Sequence, residues 1–550
     1  MVSHIFVNHV GFVPGGAKHF VVTEPPEEKF SIVRRLPGRP TVLEGQLKKV
    51  SRDLGAAWIG NFSKVREEGN YLIRCGDVES RPVTIYRGIY DQPLRVIFNY
   101  FPTQRCGESL KGWHAPCHTR DARRVDTCEH VDVAGGWHQS CDLRKWTFGT
   151  SFGLLGLSQF GMLRLPKWDS GHIAEEIKWG NQYFHKMVRP DGGLMDHVVL
   201  PLGWCDERDV YPNDPPAKST YTVIAGQAMV ARFFKNVDED YSRECVKVAR
   251  RIWSYITGPS YPKESYEPPV IPKYHEWMRG YFSQNYPRSA LHLGEGLFSA
   301  VQMYQSTGDK DFLERACRQA SALVDLQIGG DVSIDPVVAC FRVDPERSDI
   351  ACTYNEGYFG PLGLCELLEI QPNHPEAERW RNAISLIAQQ NYVMAERNPW
   401  GLVPCYWYAQ DQGGGRQVGS GYYRYFFQYG RLRIGVNPDI LGSALFLLRA
   451  QKVSGDSRCF EVACRQLDWV LGCNPFDSST VEGVGRNQPE RLINTDEFFP
   501  PVPQIPGAVM TGIKGDEKDE AAPFTMGVEA EYDMPPTALL MWLMSELSTF

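Results

Sequence analysis

Two hydrophobic rhythms divide the chain. Up to about residue 87, short apolar runs (19–23, 30–33, 56–59, 71–74 and 83–86) recur between turn signals such as Pro25-Pro26, Pro37-Gly38 and Glu68-Gly69-Asn70. Several short strands at this spacing predict a β-sandwich. From about residue 150 the period becomes helical. Ala174, Ile177, Phe184 and Val188 share one face of 171–188, and Phe460, Ala463, Leu467 and Leu471 share one face of 456–471. Further helices are predicted near 150–165, 219–236, 240–257, 289–306, 310–327, 356–370, 375–396, 439–453 and 535–548, which makes about eleven. Links such as Thr307-Gly308-Asp309 and Ser454-Gly455-Asp456 are short, so consecutive helices should be antiparallel neighbours. An open solenoid should carry a fixed-period repeat, and none is visible; a closed toroid of helical hairpins is the favoured layout. Two long loops, 258–288 and 397–438, are rich in Trp, Tyr, Gly and Pro and suit a site at one end of that scaffold.

Composition narrows the function. At 550 residues the chain is long enough for two or more compact units. The net charge of −8 and the absence of a long basic run argue against nucleic acid. No apolar stretch approaches about 18 residues, so no membrane span is expected. The N-terminal residues lack a basic region followed by an apolar core. The 15 cysteines are scattered and form no C-x-x-C pair. Together these point to the cytoplasm, with a secreted form whose signal has been removed as the alternative. An oligomeric state is left open. Aromatic residues reach 12 %, enough to supply stacking faces for a sugar, although most such rings pack in cores.

The chemistry concentrates in residues 112–146. Val131–Trp137 ends a strand-like run in a Gly-Gly turn, followed by His138, Gln139, Asp142, Arg144 and Trp146. Glycines let a backbone approach a ligand, and polar groups after them can point into an opening. His114-Ala115-Pro116-Cys117-His118 offers three possible metal ligands, but Pro116 prevents a regular helix and no fourth ligand is obvious; no metal and no cofactor are expected. Arg105, Arg120, Arg123, Arg124 and Arg144 could bind an acidic sugar, but pairing with Asp121, Asp126, Glu129 and Asp132 is the simpler expectation.

Four stretches carry a resemblance. They are VNHVGFVPGGAKHFVV at the start, CHTRDA followed by VDVAGGWHQSCDLRKW, LDWVLGCNPFDSSTVEGVGRNQP, and IPGAVMTG with EAEYDMPPTALLMWLMSEL at the end. In this order they resemble glycoside hydrolase family 9, which includes many inverting cellulases. The resemblance implies an immunoglobulin-like β-sandwich over 1–87 and an (α/α)6 barrel over 88–550. It also implies cleavage of β-glycosidic bonds in an oligo- or polysaccharide. In that family two aspartates of an asp-ala-gly-asp motif hold the attacking water, and the second is the base. Asp142 matches the second, and Gln139 stands where the first would be. Gln139 can accept a hydrogen bond but carries no charge.

The resemblance places the acid among Glu529, Glu531 and Asp533. Glu531 leads because Glu-Tyr before a proline-started helix resembles the divergent branches best. Glu529 is second, and Asp533 reads as a helix N-cap. Substrate contacts are expected from Trp137, His138, His118, Trp407, Tyr422 and Tyr423. Many family members carry a his-arg pair where this chain has Arg486-Asn487-Gln488 and Arg491, so cellulose itself is not the expected substrate. The alternatives are a polysaccharide lyase working through a Tyr/His pair, kept open by His138, and a sugar-binding protein that lost catalysis at Gln139.

Overall fold

The structure is a computed structural model that describes residues 4–110, 113–164, 168–199, 205–261, 288–350, 358–411, 414–427, 435–489, 505–524 and 530–550. Residues 4–85 form two facing sheets. One runs in the order β1 (His4–Phe6), β2 (His19–Thr23), β6 (Ala57–Asn61), β5 (Lys48–Val50). The other runs β4 (Thr41–Gln46), β3 (Lys29–Arg34), β7 (Gly69–Cys75), with β8 (Val78–Glu79) and β9 (Val83–Ile85) both paired to β7. Phe20, Phe30, Ile32, Phe62 and Ile73 fill the space between them. The apolar runs expected as strands are found. The strands β1, β4, β5 and β8 were not foreseen. β4 is an edge strand whose side chains are mostly exposed, so no apolar alternation marks it.

The remainder is built, besides the single turn Tyr100–Thr103, from twelve longer α-helices among the described residues: α1 (Asp91–Phe98), α2 (Thr147–Arg164), α3 (Ser170–Lys186), α4 (Ala217–Phe234), α5 (Glu239–Ile256), α6 (Ala290–Thr307), α7 (Lys310–Asp325), α8 (Phe359–Ile370), α9 (Ala377–Ala395), α10 (Asn437–Ser454), α11 (Ser457–Val470) and α12 (Met534–Leu547). The even-numbered helices form an inner ring. Each packs on the next, α2 on α4, then α6, α8, α10 and α12, and α12 returns to α2. The ring is therefore closed, as the missing repeat suggested. In α4 every residue except Arg232 is buried, because both neighbours and an outer helix cover it. Outer helices such as α5 bury only one stripe, which is why periodicity revealed them clearly.

The hairpins close through two local devices. Gly308 and Gly455 adopt φ of 71°, a left-handed C-cap that favours glycine, and the next residue, Asp309 or Asp456, caps the following helix by accepting a backbone N–H. Since each outer helix returns the chain, all six inner helices start at the same end of the ring.

The sandwich lies against the ring. Asn8 Nδ2 donates to Asp468 Oδ1 of α11 at 2.8 Å. Buried Asp53 accepts from Arg397 Nε at 2.8 Å and from the hydroxyls of Tyr423 and Tyr425 at 2.7 and 3.1 Å. Most of the expected 258–288 loop lies outside the described residues. Part of the 397–438 loop is a three-stranded sheet of β14 (Tyr406–Tyr408), β16 (Gly421–Arg424) and β15 (Arg416–Val418); β10 (Arg123–Arg124), β13 (Asp209–Tyr211), β12 (His197–Val198) and β11 (Lys145–Trp146) form another beside the site. No helix among the described residues is long and apolar enough to cross a membrane.

Candidate active site

The site is built where α2 and α12 begin. Gly136 has φ of 73°, and a Cβ there would lie 2.6 Å from Tyr183, so only glycine allows this turn to press against α3. The chain then doubles back. His138 N–H donates to Gln104 O at 2.7 Å, and Gln139 N–H donates to Arg144 O at 2.8 Å. The carbonyl of Gln139 accepts from the Tyr100 hydroxyl at 2.7 Å and from the Met534 N–H at 3.1 Å. Those bonds tie the loop directly to the first turn of α12.

On this loop Asp142 is fixed from both sides. Its Oδ1 accepts from Ser140 Oγ and from the Arg144 N–H, each at 3.0 Å, and its Oδ2 lies 3.1 Å from Arg144 Nε. Glu531 approaches from the segment before α12. Its Oε1 is 3.7 Å from Cys141 Sγ. Burial, then the charge of Asp142, pushes the Glu531 carboxyl up to about 7. Asp533 caps α12 by accepting from Met534 N–H at 2.8 Å, as expected, and burial raises its carboxyl well above the usual range.

Gln139 lies beside this group. Its side-chain Oε1 has no hydrogen-bond partner among the described residues. The side chain occupies space left by Gly149, where a Cβ would come within 2.0 Å of it. The structure thus brings together Asp142, Glu531 and Gln139. Glu529 and Arg491 lie outside the described residues.

The histidines are corrected. His118 and His138, expected as sugar contacts, are buried and converge with Cys106 and Cys117, the four ligand atoms all lying within 4.8 Å of one another. Cys106 Sγ is 3.6 Å from His118 Nδ1, Cys117 Sγ is 3.6 Å from His138 Nε2, and the two nitrogens are 3.3 Å apart. A Cys2His2 tetrahedron with Zn–S of about 2.3 Å and Zn–N of about 2.1 Å has edges of about 3.5 Å, so these residues fit zinc. The sequence offered no fourth ligand beside Cys117 and His118; the fold supplies two, Cys106 and His138. His114 is not in the set. Cys106 and His138 lie far from the Cys117-His118 pair along the chain, so no recognisable spacing announced them.

A buried charge network supports the same loop. Asp121 accepts from Arg208 Nη2 at 2.6 Å and lies 2.9 Å from Lys145 Nζ, while Arg208 also donates to the Leu143 carbonyl. Burial works against the Asp121 charge, but Lys145 and Arg208 outweigh it and hold the carboxyl below its usual range. Among the arginines, Arg105 pairs with Glu176 at 2.9 Å, Arg124 with Asp126 at 2.7 Å and Arg144 with Asp142, so their charges are met within the protein.

Most of the expected aromatic platforms are also internal. Trp137 is buried, its Nε1–H donating to Glu176 Oε1 at 2.7 Å. Tyr423 is buried on Asp53. Tyr422 is half-buried and stacks on Tyr408, with centroids 5.9 Å apart. Trp407, mostly buried, lines a pocket with Ala290, Glu295, Tyr358 and Phe359, where α6 and α8 begin, at the same end of the ring as Asp142. Arg486 and Asn487 are both bound to Asp477, Arg486 Nη2 at 3.0 Å and Asn487 Nδ2 at 3.1 Å.

Comparison with known proteins agrees with this architecture. Residues 90–517 match the model for glycosyl hydrolase family 9, and residues 2–80 match the cellulase N-terminal ig-like domain. Endoglucanase D of Acetivibrio thermocellus is 23% identical over 546 residues, covering 91% of this chain and 77% of its own. A cellodextrinase of Butyrivibrio fibrisolvens is 22% identical over 556 residues, covering 95% of this chain and 92% of its own. The fold is shared with a metagenome-derived family 9 endoglucanase, at a TM-score of 0.71 and 20% identity, covering 100% of this chain and 99% of that one. It is also shared with a single mutant of a thermostable endoglucanase from Alicyclobacillus acidocaldarius, at a TM-score of 0.67 and 19% identity, covering 99% of each chain.

Proposed function

The chain belongs to glycosyl hydrolase family 9, glycoside hydrolases that cleave β-glycosidic bonds with inversion, and from that premise we propose that Asp142 is its base and that short β-glucan oligosaccharides are its substrates. The observation that carries this reading is the fixing of Asp142 by Ser140 and Arg144 at the mouth of the ring. A carboxylate held by two hydrogen bonds and a guanidinium is oriented before substrate arrives and can take a proton from an attacking water. A lyase base at His138 is disfavoured, since that ring faces the cysteine–histidine cluster. Four protein ligands would close a zinc site; a metal there would fix the loop and leave no open position for substrate.

Short chains are favoured over cellulose because Arg486 and Asn487 are bound to Asp477. The cellodextrinase relative is consistent with that choice. The proton donor is sought ahead of α12, where Glu531 leads because burial and the charge of Asp142 raise its carboxyl to about 7, with Glu529 second. Mass spectrometry of products from a panel of β-linked oligosaccharides should show addition of water and no unsaturated sugar. Asp142→Asn should lower kcat by about 10²–10⁴-fold while leaving the circular dichroism spectrum unchanged. An unchanged rate in that variant would remove Asp142 from the mechanism.

A further inference from the structure

Asp142 sits in a turn whose last residue has an unusual backbone. The Leu143 N–H donates to Ser140 O at 3.2 Å, which closes the turn Ser140–Leu143 with Asp142 in its third place. Leu143 then takes a φ of 59°, the left-handed region, where a side chain with a Cβ is disfavoured. The leucine side chain is buried, so packing keeps leucine here while its backbone is held against its preference. The next residue serves the base: Arg144 N–H donates to Asp142 Oδ1 at 3.0 Å, and Arg144 Nε lies 3.1 Å from Asp142 Oδ2. A return of Leu143 to negative φ would rotate the Arg144 N–H away from Asp142.

One side chain holds the Leu143 peptide. Buried Arg208 donates from Nη1 to the Leu143 carbonyl, and no other donor meets that oxygen among the described residues. The rest of the guanidinium is anchored. Nε donates to Asp121 Oδ1 at 3.2 Å, Nη2 donates to Asp121 Oδ2 at 2.6 Å, and Nη2 also reaches Cys106 Sγ at 3.5 Å. The Arg208 backbone N–H donates to Asp121 Oδ1 at 3.1 Å, and Lys145 Nζ fixes the same carboxylate from 2.9 Å. A planar fork held at two of its nitrogens cannot rotate, so Nη1 is aimed at a single point.

We propose that Arg208 is a positioning residue for the base: it grips the Leu143 carbonyl and so maintains the left-handed turn in which Arg144 orients Asp142. Arg208 moves no proton and acts only through the Leu143 peptide. This inference rests on the reading of Asp142 as the base. It differs from a purely structural role, the neutralising of Asp121, in what a lysine at 208 should do. A lysine ammonium can pair with Asp121 but lacks the fork that meets Asp121 and Leu143 together.

The test compares Arg208→Lys, Leu143→Gly and the double variant, with Leu143→Ala as the control for loss of the side chain. Each is assayed on the most readily cleaved oligosaccharide of the β-linked panel. Arg208→Lys should lose about 10²-fold in kcat with KM within about twofold, because a displaced base is felt in the transition state and not in binding. Its circular dichroism spectrum and metal content should match the parent's. Glycine adopts positive φ freely, so in the Leu143→Gly background the lysine change should cost about tenfold or less. Leu143→Gly should also melt above Leu143→Ala, the reverse of the order found at negative φ. A parental kcat in Arg208→Lys overturns the inference, and so does an equal loss in both backgrounds or a melting order with alanine on top. A kcat restored by added zinc traces the effect to the cysteine–histidine cluster and overturns it too. Should Arg208→Lys not fold, Asp121→Asn replaces it, since it loosens the fork while keeping an acceptor, and the same smaller loss beside Leu143→Gly is expected. Failure of the underlying reading has a different signature: Asp142→Asn would keep the parental rate.

Discussion

At the scale of single residues, the site shows how little of an enzyme's proton chemistry is fixed by residue type. Asp142 and Glu531 are both carboxyls, yet Arg144 pairs with one while burial and the charge of Asp142 raise the other to about 7. Asp142 was legible from its place after a Gly-Gly turn, and Gln139 as a departure from the family pattern. Ser140 was not, because a serine in a loop has no pattern of its own; its role exists only once the loop folds its hydroxyl onto Asp142. Gln139→Asp is informative here. A new carboxylate at 139 would stand next to Asp533 and near Glu531, adding repulsion where the structure already favours neutral carboxyls. We expect native activity to fall by about tenfold in steady-state assays on the oligosaccharide; a rise would identify Gln139 as a lesion in the base.

At the scale of elements, the decisive unit is the long loop from α1 to α2. It has little regular structure, and it is held by the Cys106, Cys117, His118 and His138 set and by the Asp121–Arg208–Lys145 network. Metal analysis of the purified protein should find about one zinc per chain. Removal by a chelator should lower the apparent Tm by about 5 °C or more and reduce kcat, since Asp142 lies four residues beyond His138. Readdition of zinc should restore both. Neither effect is expected if the cluster holds no metal. The outer helices were legible because each shows one apolar stripe, and their links were legible from Gly and Asp. The metal set was hidden because its ligands come from three separated stretches of one loop, and ligand spacing is informative only when a hairpin or helix enforces it.

At the scale of the whole molecule, the two units meet around groups that sequence patterns treat as surface. Asp468 was read only as part of a helix, but it is buried under Asn8 of the sandwich. Burial raises its carboxyl to about 7, with the Asn8 hydrogen bond and Arg465 opposing. Its folded value is thus above its unfolded value. The stability it contributes is complete below about pH 4 and declines as pH rises toward 7, because the unfolded chain ionises first. Asp468→Asn should therefore raise the apparent Tm at pH 8 by about 2–4 °C and have little effect at pH 4. Thermal melts across that range would reveal the sign directly, and an equal shift at both ends would remove Asp468 as the titrating group. The toroid itself was legible from paired helices without a repeat; the way the sandwich seals onto it was not, since contacts between distant segments leave no periodic trace.

The closure of the inner ring by α2 and α12 has a consequence for how the protein is made. During translation the base-bearing loop leaves the ribosome well before Glu531 and α12. A nascent or prematurely terminated chain can hold most of its helical hairpins and still lack the final wall of the cleft. Hydrolytic competence then waits for α12, and products cut short before it are inactive.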